Sequence, residues 1–287
     1  MLRTRRATRR FLTATALLAS GALIAGCGGS SDAGSSARTV SLTRAADLST
    51  AKAGYKLIMS MHDVVAGKTI DISGTGGFNL KPREGALLMN LSADGQTFPI
   101  QVVIAHDTIY EQLPSQITSQ LPGGKPWISI NLRQLSSAMN LPDLGSLMSS
   151  NSSMSDPSQY MNYLKSAASV TNLGQETVDG VQTTHYSAQL KLSKLTDAVP
   201  PALRQSMAQM VTTLEQRFHA SYQPINVWID QSNLIRKIQM TIDESVSGQS
   251  VTSQITEQFT AYGTQPAPSV PPAGQTTNVL SLIENGG

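Results

Sequence analysis

Residues 87–104 read LLMNLSADGQTFPIQVVI, two apolar runs separated by Asp94-Gly95. Apolar residues occupy every second position in both runs, at Leu87, Met89 and Leu91 and then at Phe98, Ile100, Val102 and Ile104. A period of two is typical of strands with one buried face, and Asp-Gly is a common pair in tight hairpin turns. The stretch therefore predicts an antiparallel hairpin.

The same period extends along the chain on both sides of this hairpin. Leu57, Met59 and Met61 alternate before it, and a turn at residues 65–68 follows them. Five further strands are predicted over residues 170–178, 181–192, 225–230, 234–243 and 250–262. Because short turns such as Asp179-Gly180 join neighbouring strands, the sequence predicts a largely antiparallel sheet.

Two stretches follow a helical period instead. In residues 201–220 the apolar side chains recur at steps of three and four after a Pro-Pro pair, at Leu203, Met207, Met210, Val211, Leu214 and Phe218. A less regular helical stretch spans residues 132–165. We therefore expect an α+β fold, a single curved antiparallel sheet with helices covering its concave apolar face.

Such a sheet, covered by only two helical segments, encloses either a thin packed core or a cavity. Ten methionines besides Met1 concentrate on the predicted strands and helices. Methionine is flexible enough to suit an adaptable cavity wall, and it is also an ordinary core filler, so both interpretations stay open. The predicted cavity wall consists of Leu57, Met59, Met61, Leu87, Met89, Leu91, Ile100, Val102, Tyr186, Leu190, Met207, Met210, Leu214, Ile238, Met240 and Ile255.

The first 26 residues have the pattern of an export signal. Five arginines lie within the first ten residues, and an apolar run over residues 11–25 follows them. The next residue, Cys27, is the single cysteine of the chain, and Ile24-Ala25-Gly26-Cys27 resembles the lipobox of bacterial lipoproteins. That resemblance implies that Cys27 carries a lipid anchor and holds the protein at the extracytoplasmic face of the cell membrane.

Composition divides the rest of the chain into three parts. Residues 27–40 are rich in Gly and Ser and predict a flexible tether. Residues 41–262 form the predicted folded domain, and residues 263–287, with four prolines, predict a mobile tail. Outside the arginine cluster, 16 basic residues face 19 acidic ones, which argues against a nucleic-acid partner.

No group of residues supports catalysis, a cofactor or a metal site. The four histidines are scattered, and Ser49-Thr50-Ala51-Lys52 matches the Ser-x-x-Lys of penicillin-binding enzymes without either of its companion motifs. His185 is out of phase with the apolar residues of its strand and is predicted on the opposite face. Glu257 shares the apolar phase of the last strand, where it could meet a ligand headgroup or, the preferred interpretation, pair with Arg236.

Three segments in series resemble a known group of proteins. They are KPWI at residues 125–128, GQETVDGVQTTHY at 174–186 and VWID at 227–230. Behind a lipobox, this series is similar to actinobacterial lipoproteins of the mycobacterial LppX/LprG type and, more distantly, to the lipoprotein carrier LolA. The resemblance covers most of residues 55–262, and the tail after Tyr262 is not part of it.

The resemblance implies a half-barrel with an apolar cavity closed by helices, because that is the fold of the group. Its members bind acylated lipids and help carry them across the cell envelope. We therefore expect a monomeric, non-enzymatic lipoprotein that binds a lipid or acylated amphiphile and meets a transport partner in the envelope. The alternative is a ligand-free interaction or sensor module, which predicts a filled core and an exposed apolar patch outside it.

Overall fold

The computed structural model describes residues 31–65, 67–119, 123–138, 164–198, 204–218, 221–246 and 249–281. The predicted signal peptide and Cys27 lie outside these ranges, as does most of the helical stretch predicted over residues 132–165. The signal, the anchor and that part of the helix therefore remain predictions.

Four α-helices and twelve strands are described. The helices are α1 (Ser31–Thr50), α2 (Ser115–Thr118), α3 (Leu132–Ala138) and α4 (Arg204–Phe218). The first six strands are β1 (Gly54–Val65), β2 (Lys68–Asn79), β3 (Glu84–Ala93), β4 (Gln96–Ala105), β5 (Thr108–Gln112) and β6 (Trp127–Asn131). The other six are β7 (Ala167–Val178), β8 (Val181–Lys191), β9 (Tyr222–Asp230), β10 (Ile235–Val246), β11 (Gln249–Tyr262) and β12 (Thr276–Asn278).

All twelve strands belong to one open sheet in the order β12-β6-β5-β4-β3-β2-β1-β11-β10-β9-β8-β7. Neighbouring strands are antiparallel except β12 and β6. The predicted turns at Asp94-Gly95 and Asp179-Gly180 are confirmed, and all four residues have a positive φ between 48° and 77°. Asp and Gly tolerate this conformation, which the tight hairpin turn requires.

The register assigns each strand residue to one of two faces, because directly opposite residues of paired strands point the same way. We call the face that carries Leu57 the inner face. Across the sheet, Leu57 lies opposite Phe259 on β11 and opposite Gly76 on β2. The other face, the outer face, carries both tryptophans, since Trp228 pairs with His185 and Trp127 with Gln112.

Helix α1 contributes to the main core, which corrects the tether prediction. The helix begins at Ser31, inside the stretch 27–40 that we expected to be a flexible linker. Leu42, Ala45 and Ala46 are fully buried in the same cluster as inner-face residues of β8 to β10. Their spacing, with Ser49 one turn later, is the helical signal that the Ser-rich and Gly-rich composition concealed.

The segment after Tyr262 is also ordered, contrary to the predicted mobile tail. We call residues 263–275 the strap. Its start is held to the sheet where Gly263 N–H donates to Gly54 O at 2.9 Å. Asn79 clamps Gln265 through two bonds, accepting from its N–H at 2.8 Å and donating to its carbonyl at 3.0 Å.

The strap ends in β12, which pairs with the sheet edge at β6, and the Lys125 ammonium donates to Thr276 O at 3.0 Å. A Cβ atom on Gly77, an outer-face residue, would lie 3.1 Å from the Gln265 side chain. The strap therefore crosses the outer face. Proline-rich composition here marks an extended, docked segment.

Candidate functional site: the two halves of the inner face

The register gathers the predicted cavity wall onto one face. Each predicted strand residue has the inner-face phase: Leu57, Met59, Met61, Leu87, Met89, Leu91, Ile100, Val102, Tyr186, Leu190, Ile238, Met240 and Ile255. Met207 is buried on α4. Met210 and Leu214 also belong to α4, and their side chains lie outside the described part of the chain.

Burial divides this wall into two halves. Leu57, Leu190, Ile238 and Met240 belong to the packed core cluster, together with Ile225 and Val227 between them. Helix α1 lies against β7 and β10, and its buried residues share the core cluster with inner-face residues, while α4 also contacts β10. We call the inner face of β7 to β11 the covered half, because its apolar side chains are already packed.

The other half remains partly exposed. Seven of the predicted wall residues, all on β1, β3 and β4, are half-buried on the inner face, namely Met59, Met61, Leu87, Met89, Leu91, Ile100 and Val102. We call this set the open half. Half-buried apolar side chains on one continuous face are the feature that a ligand-binding wall requires.

Two glycines form the floor of the open half. Gly74 lies opposite Met59 and Met89, and Gly76 lies opposite Leu57 and Leu87. A Cβ atom on Gly74 would lie 2.8 Å from Met89 Cγ and 3.5 Å from Met59 Cγ, so the two methionines converge over it. Gly74 and Gly76 have no side chains, and the flexible side chains of Met59 and Met89 lie over Gly74. This region can therefore change shape at low energetic cost.

One carboxyl group adjoins the open half. Glu111 on β5 has the inner-face phase and lies opposite Val102 on one side and Ile128 on the other. It is half-buried and forms no hydrogen bond or ion pair with any described residue. Burial among apolar neighbours disfavours the charged form and raises the pKa of the Glu111 carboxyl. The sequence analysis missed Glu111, although Ile109 and Glu111 alternate on the inner face within Thr108–Gln112.

The predicted pair of Glu257 with Arg236 is wrong. Glu257 is buried on the inner face as expected. Arg236 lies at an irregularity of β10, and its Nε donates to Asp230 Oδ2 at 2.7 Å. The bulge changes the face that Arg236 reaches, which simple alternation cannot foresee.

Ser49 has a structural role rather than the enzymatic one that its motif allowed. Its side chain is fully buried, and Ser49 Oγ accepts the backbone N–H of Ile235 at 3.0 Å. The Tyr262 hydroxyl donates to Ile235 O at 2.5 Å. Desolvation raises the pKa of Tyr262 far above its usual range, so the hydroxyl keeps its proton. The two bonds join α1, β10 and β11.

His185 faces outward, as predicted, and belongs to a polar cluster. Its ring stacks on Trp228 with centroids 4.1 Å apart, and Lys237 Nζ lies 4.2 Å from the Trp228 ring centre. Trp228 Nε1 donates to Glu176 Oε2 at 2.8 Å, and His185 Nδ1 lies 2.8 Å from Glu176 Oε1. The bond from Trp228 and then the one with His185 lower the pKa of Glu176. Because both ring nitrogens of His185 have partners, the cluster reinforces the sheet.

Metal sites and membrane-spanning helices are two further features that bear on function. Within the described ranges, no group of three or more His, Cys, Asp or Glu residues could hold a metal ion. None of the described helices is long and apolar enough to cross a membrane.

Comparison with known proteins identifies relatives at low identity. No family model matches the chain. An uncharacterized 31.2 kDa protein of Streptomyces griseus is 24% identical over 220 residues, which cover 76% of this chain. The match spans 66% of the length of that relative.

Solved structures supply two further similarities. LppX of Mycobacterium tuberculosis is 14% identical, with a TM-score of 0.46, over 81% of this chain and 98% of its own. LprF of Mycobacterium bovis is 12% identical, with a TM-score of 0.42, over 84% of this chain and 98% of its own. Both similarities are to mycobacterial proteins, and LppX is a lipoprotein.

Proposed function

We propose that the protein is an envelope lipoprotein that binds a lipid or other acylated amphiphile against the open half and carries it within the cell envelope. The observation that carries the proposal is the set of seven half-buried apolar side chains on one sheet face, above a glycine floor. The helices would close over the bound chain. The description of LppX as a lipoprotein agrees with this assignment.

The energetics of acyl binding suit a wall without elaborate polar chemistry. Burial of each methylene contributes about 0.8 kcal/mol, so a sixteen-carbon chain offers roughly 12 kcal/mol before ordering costs are subtracted. Most of the affinity then comes from the chain. The protein needs no catalytic group for this task, and it would act as a monomer held at the extracytoplasmic face of the membrane by lipidated Cys27.

Two adjacent residues of β3 provide the test. Met89 is half-buried on the inner face, whereas its neighbour Leu88 points outward and is 61% exposed. We expect delipidated protein to bind 1-palmitoylglycerol in native mass spectrometry. Met89→Glu should weaken that binding at least about tenfold, since it sets a carboxylate against the acyl chain. Leu88→Glu, the matched control, should leave it within about twofold. Equal losses in both variants, or no uptake by the parent, would refute the proposal.

A second candidate is the ligand-free interaction module. One observation favours it: Ile58 and Leu88 are exposed on the outer face, separated by Thr75 on the intervening strand. This function predicts the reverse pattern for the same two variants. Leu88→Glu would then abolish cross-linking to a specific envelope protein, and Met89→Glu would not.

A further inference from the structure

Glu111 borders the open half at its β4 edge, as Glu257, which lies opposite Met59, does at the β1 edge. Glu111 lies directly opposite Val102, and Val102 lies opposite Leu87. These three side chains therefore form one line across β3, β4 and β5, from the open half to the carboxyl group. A chain bound along this line would place its polar end within reach of Glu111. The residue is therefore positioned to contact a headgroup.

The Glu111 carboxyl group has no hydrogen-bond or ion-pair partner among the residues that the structure describes. No described residue donates a hydrogen bond to it, although apolar residues flank it on both neighbouring strands. A half-buried carboxyl without a donor costs free energy that a hydroxyl of a bound ligand would offset.

The carboxylate of Glu111 disfavours an anionic headgroup beside it. Asp63, Glu111 and Glu257 all have the inner-face phase. Among the described strands, Lys68 at the β1–β2 turn is the lysine with that phase, and its Nζ is already 3.3 Å from Asp94 Oδ2. A phosphate or carboxylate head placed at Glu111 would meet like charge, and the described strands β3 to β6 contain no lysine or arginine to offset it.

We infer that Glu111 is a specificity-determining residue that selects amphiphiles with an uncharged, hydroxyl-bearing head, such as an acylglycerol, over those with an anionic head. This inference rests on the proposed function and adds the class of ligand to it. Glu111 accepts the hydroxyl donor and repels phosphate.

The test compares two lipids that differ by one phosphate-bearing unit, 1-palmitoylglycerol and 1-palmitoyl lysophosphatidylglycerol. Competition for the delipidated protein, followed by native mass spectrometry, gives their affinity ratio. We expect the parent to favour the uncharged lipid by about tenfold or more, and Glu111→Gln to reduce that ratio at least about threefold by strengthening the anionic lipid. Glu84→Gln, on the outer face of β3, should leave the ratio unchanged.

The outcomes separate this inference from the proposed function. Equal binding of the two lipids by the parent, or a ratio that Glu111→Gln leaves intact, overturns the selectivity while lipid binding stands. Binding of neither lipid overturns the proposed function as well. Because no described residue bonds to Glu111, the Gln variant should fold, and its thermal unfolding midpoint checks this directly.

Discussion

The covered and open halves of the inner face arise from the same alternation of apolar residues and differ in what lies over them. In the covered half, Ile225, Val227 and Ile238 are each at most 2% exposed and pack in one cluster with α1. In the open half, the corresponding residues of β1, β3 and β4 stay half-buried. One sheet thus provides both a rigid scaffold and an adaptable surface.

The residue types of the two halves differ on average. The covered half is mostly β-branched, with few rotamers that fill a fixed space, although Leu190 and Met240 also belong to it. The open half is mostly methionine and leucine above Gly74 and Gly76, with Ile100 and Val102 beside them, and such a set can rearrange around a ligand. The contrast indicates that apolar alternation alone does not define a ligand site, because coverage by other elements also decides which side chains are packed.

The largest expected effect tests the covered half as scaffold. Ile238→Ala should lower the free energy of unfolding by about 2–5 kcal/mol, because it leaves a cavity in a packed cluster. Met89→Ala, the matched truncation in the open half, should cost less than about 1.5 kcal/mol, since that side chain is already partly in water. Urea denaturation measures both. Similar costs at the two sites would contradict the division into halves.

The strap braces the open half from the outer side, and Asn79 tests that brace. Asn79→Ala removes both bonds to Gln265 and should cost about 1–3 kcal/mol. Amide hydrogen exchange should accelerate at Gln265 and in β12 and remain slow in β9. Ser60→Ala, an exposed control, should change neither quantity. Unaltered exchange at Gln265 would show that the segment is the mobile tail that composition suggested.

Glu111 should reduce stability in the absence of ligand. Its unpaired carboxylate is disfavoured by burial, so Glu111→Leu should raise the free energy of unfolding by about 0.5–1 kcal/mol after allowance for solvent screening. That gain corresponds to a midpoint about 2–4 °C higher at most, by calorimetry at neutral pH. A lower midpoint would mean that the carboxyl has a structural partner.

The smallest expected effect concerns Glu176 on the outer face of β7, behind the covered half. Because the folded state lowers its pKa below 4.5, the unfolded state binds more protons and stability rises with pH across that window. The contribution is fully present above the unfolded pKa and is lost as pH falls through the folded value. Urea midpoints between about pH 6 and pH 3 should therefore fall less in Glu176→Gln than in the parent. An identical pH dependence in the parent and the variant would contradict a contribution of Glu176 to the stability of the folded state.

The sequence predicted the strands more accurately than the segments that pack against the sheet. Alternation located most strands and the face of each wall residue, because the period of two fixes the face once the register is known. Helix α1 and the strap were missed for the same reason: composition rich in Ser, Gly or Pro resembles that of a linker, and long-range contacts such as Asn79 with Gln265 order it.

The site was only partly predictable. The wall residues were found by their period, but the period cannot tell a packed Ile238 from a half-buried Met89, since coverage depends on where α1 and α4 lie. Glu111 was missed because a single carboxylate in a short strand carries no pattern, and Arg236 was misassigned at a bulge.

Methionine methyl signals test the central claim most directly, that ligand binds the open half and not the covered half. The experiment adds a nitroxide-labelled monoacylglycerol to protein labelled with ¹³C at the methionine methyl groups. The account predicts broadening of the Met59, Met61 and Met89 signals, while that of Met240 in the core stays sharp. Broadening of Met240 with sharp Met59 and Met89 signals, or no broadening in any of them, would contradict it.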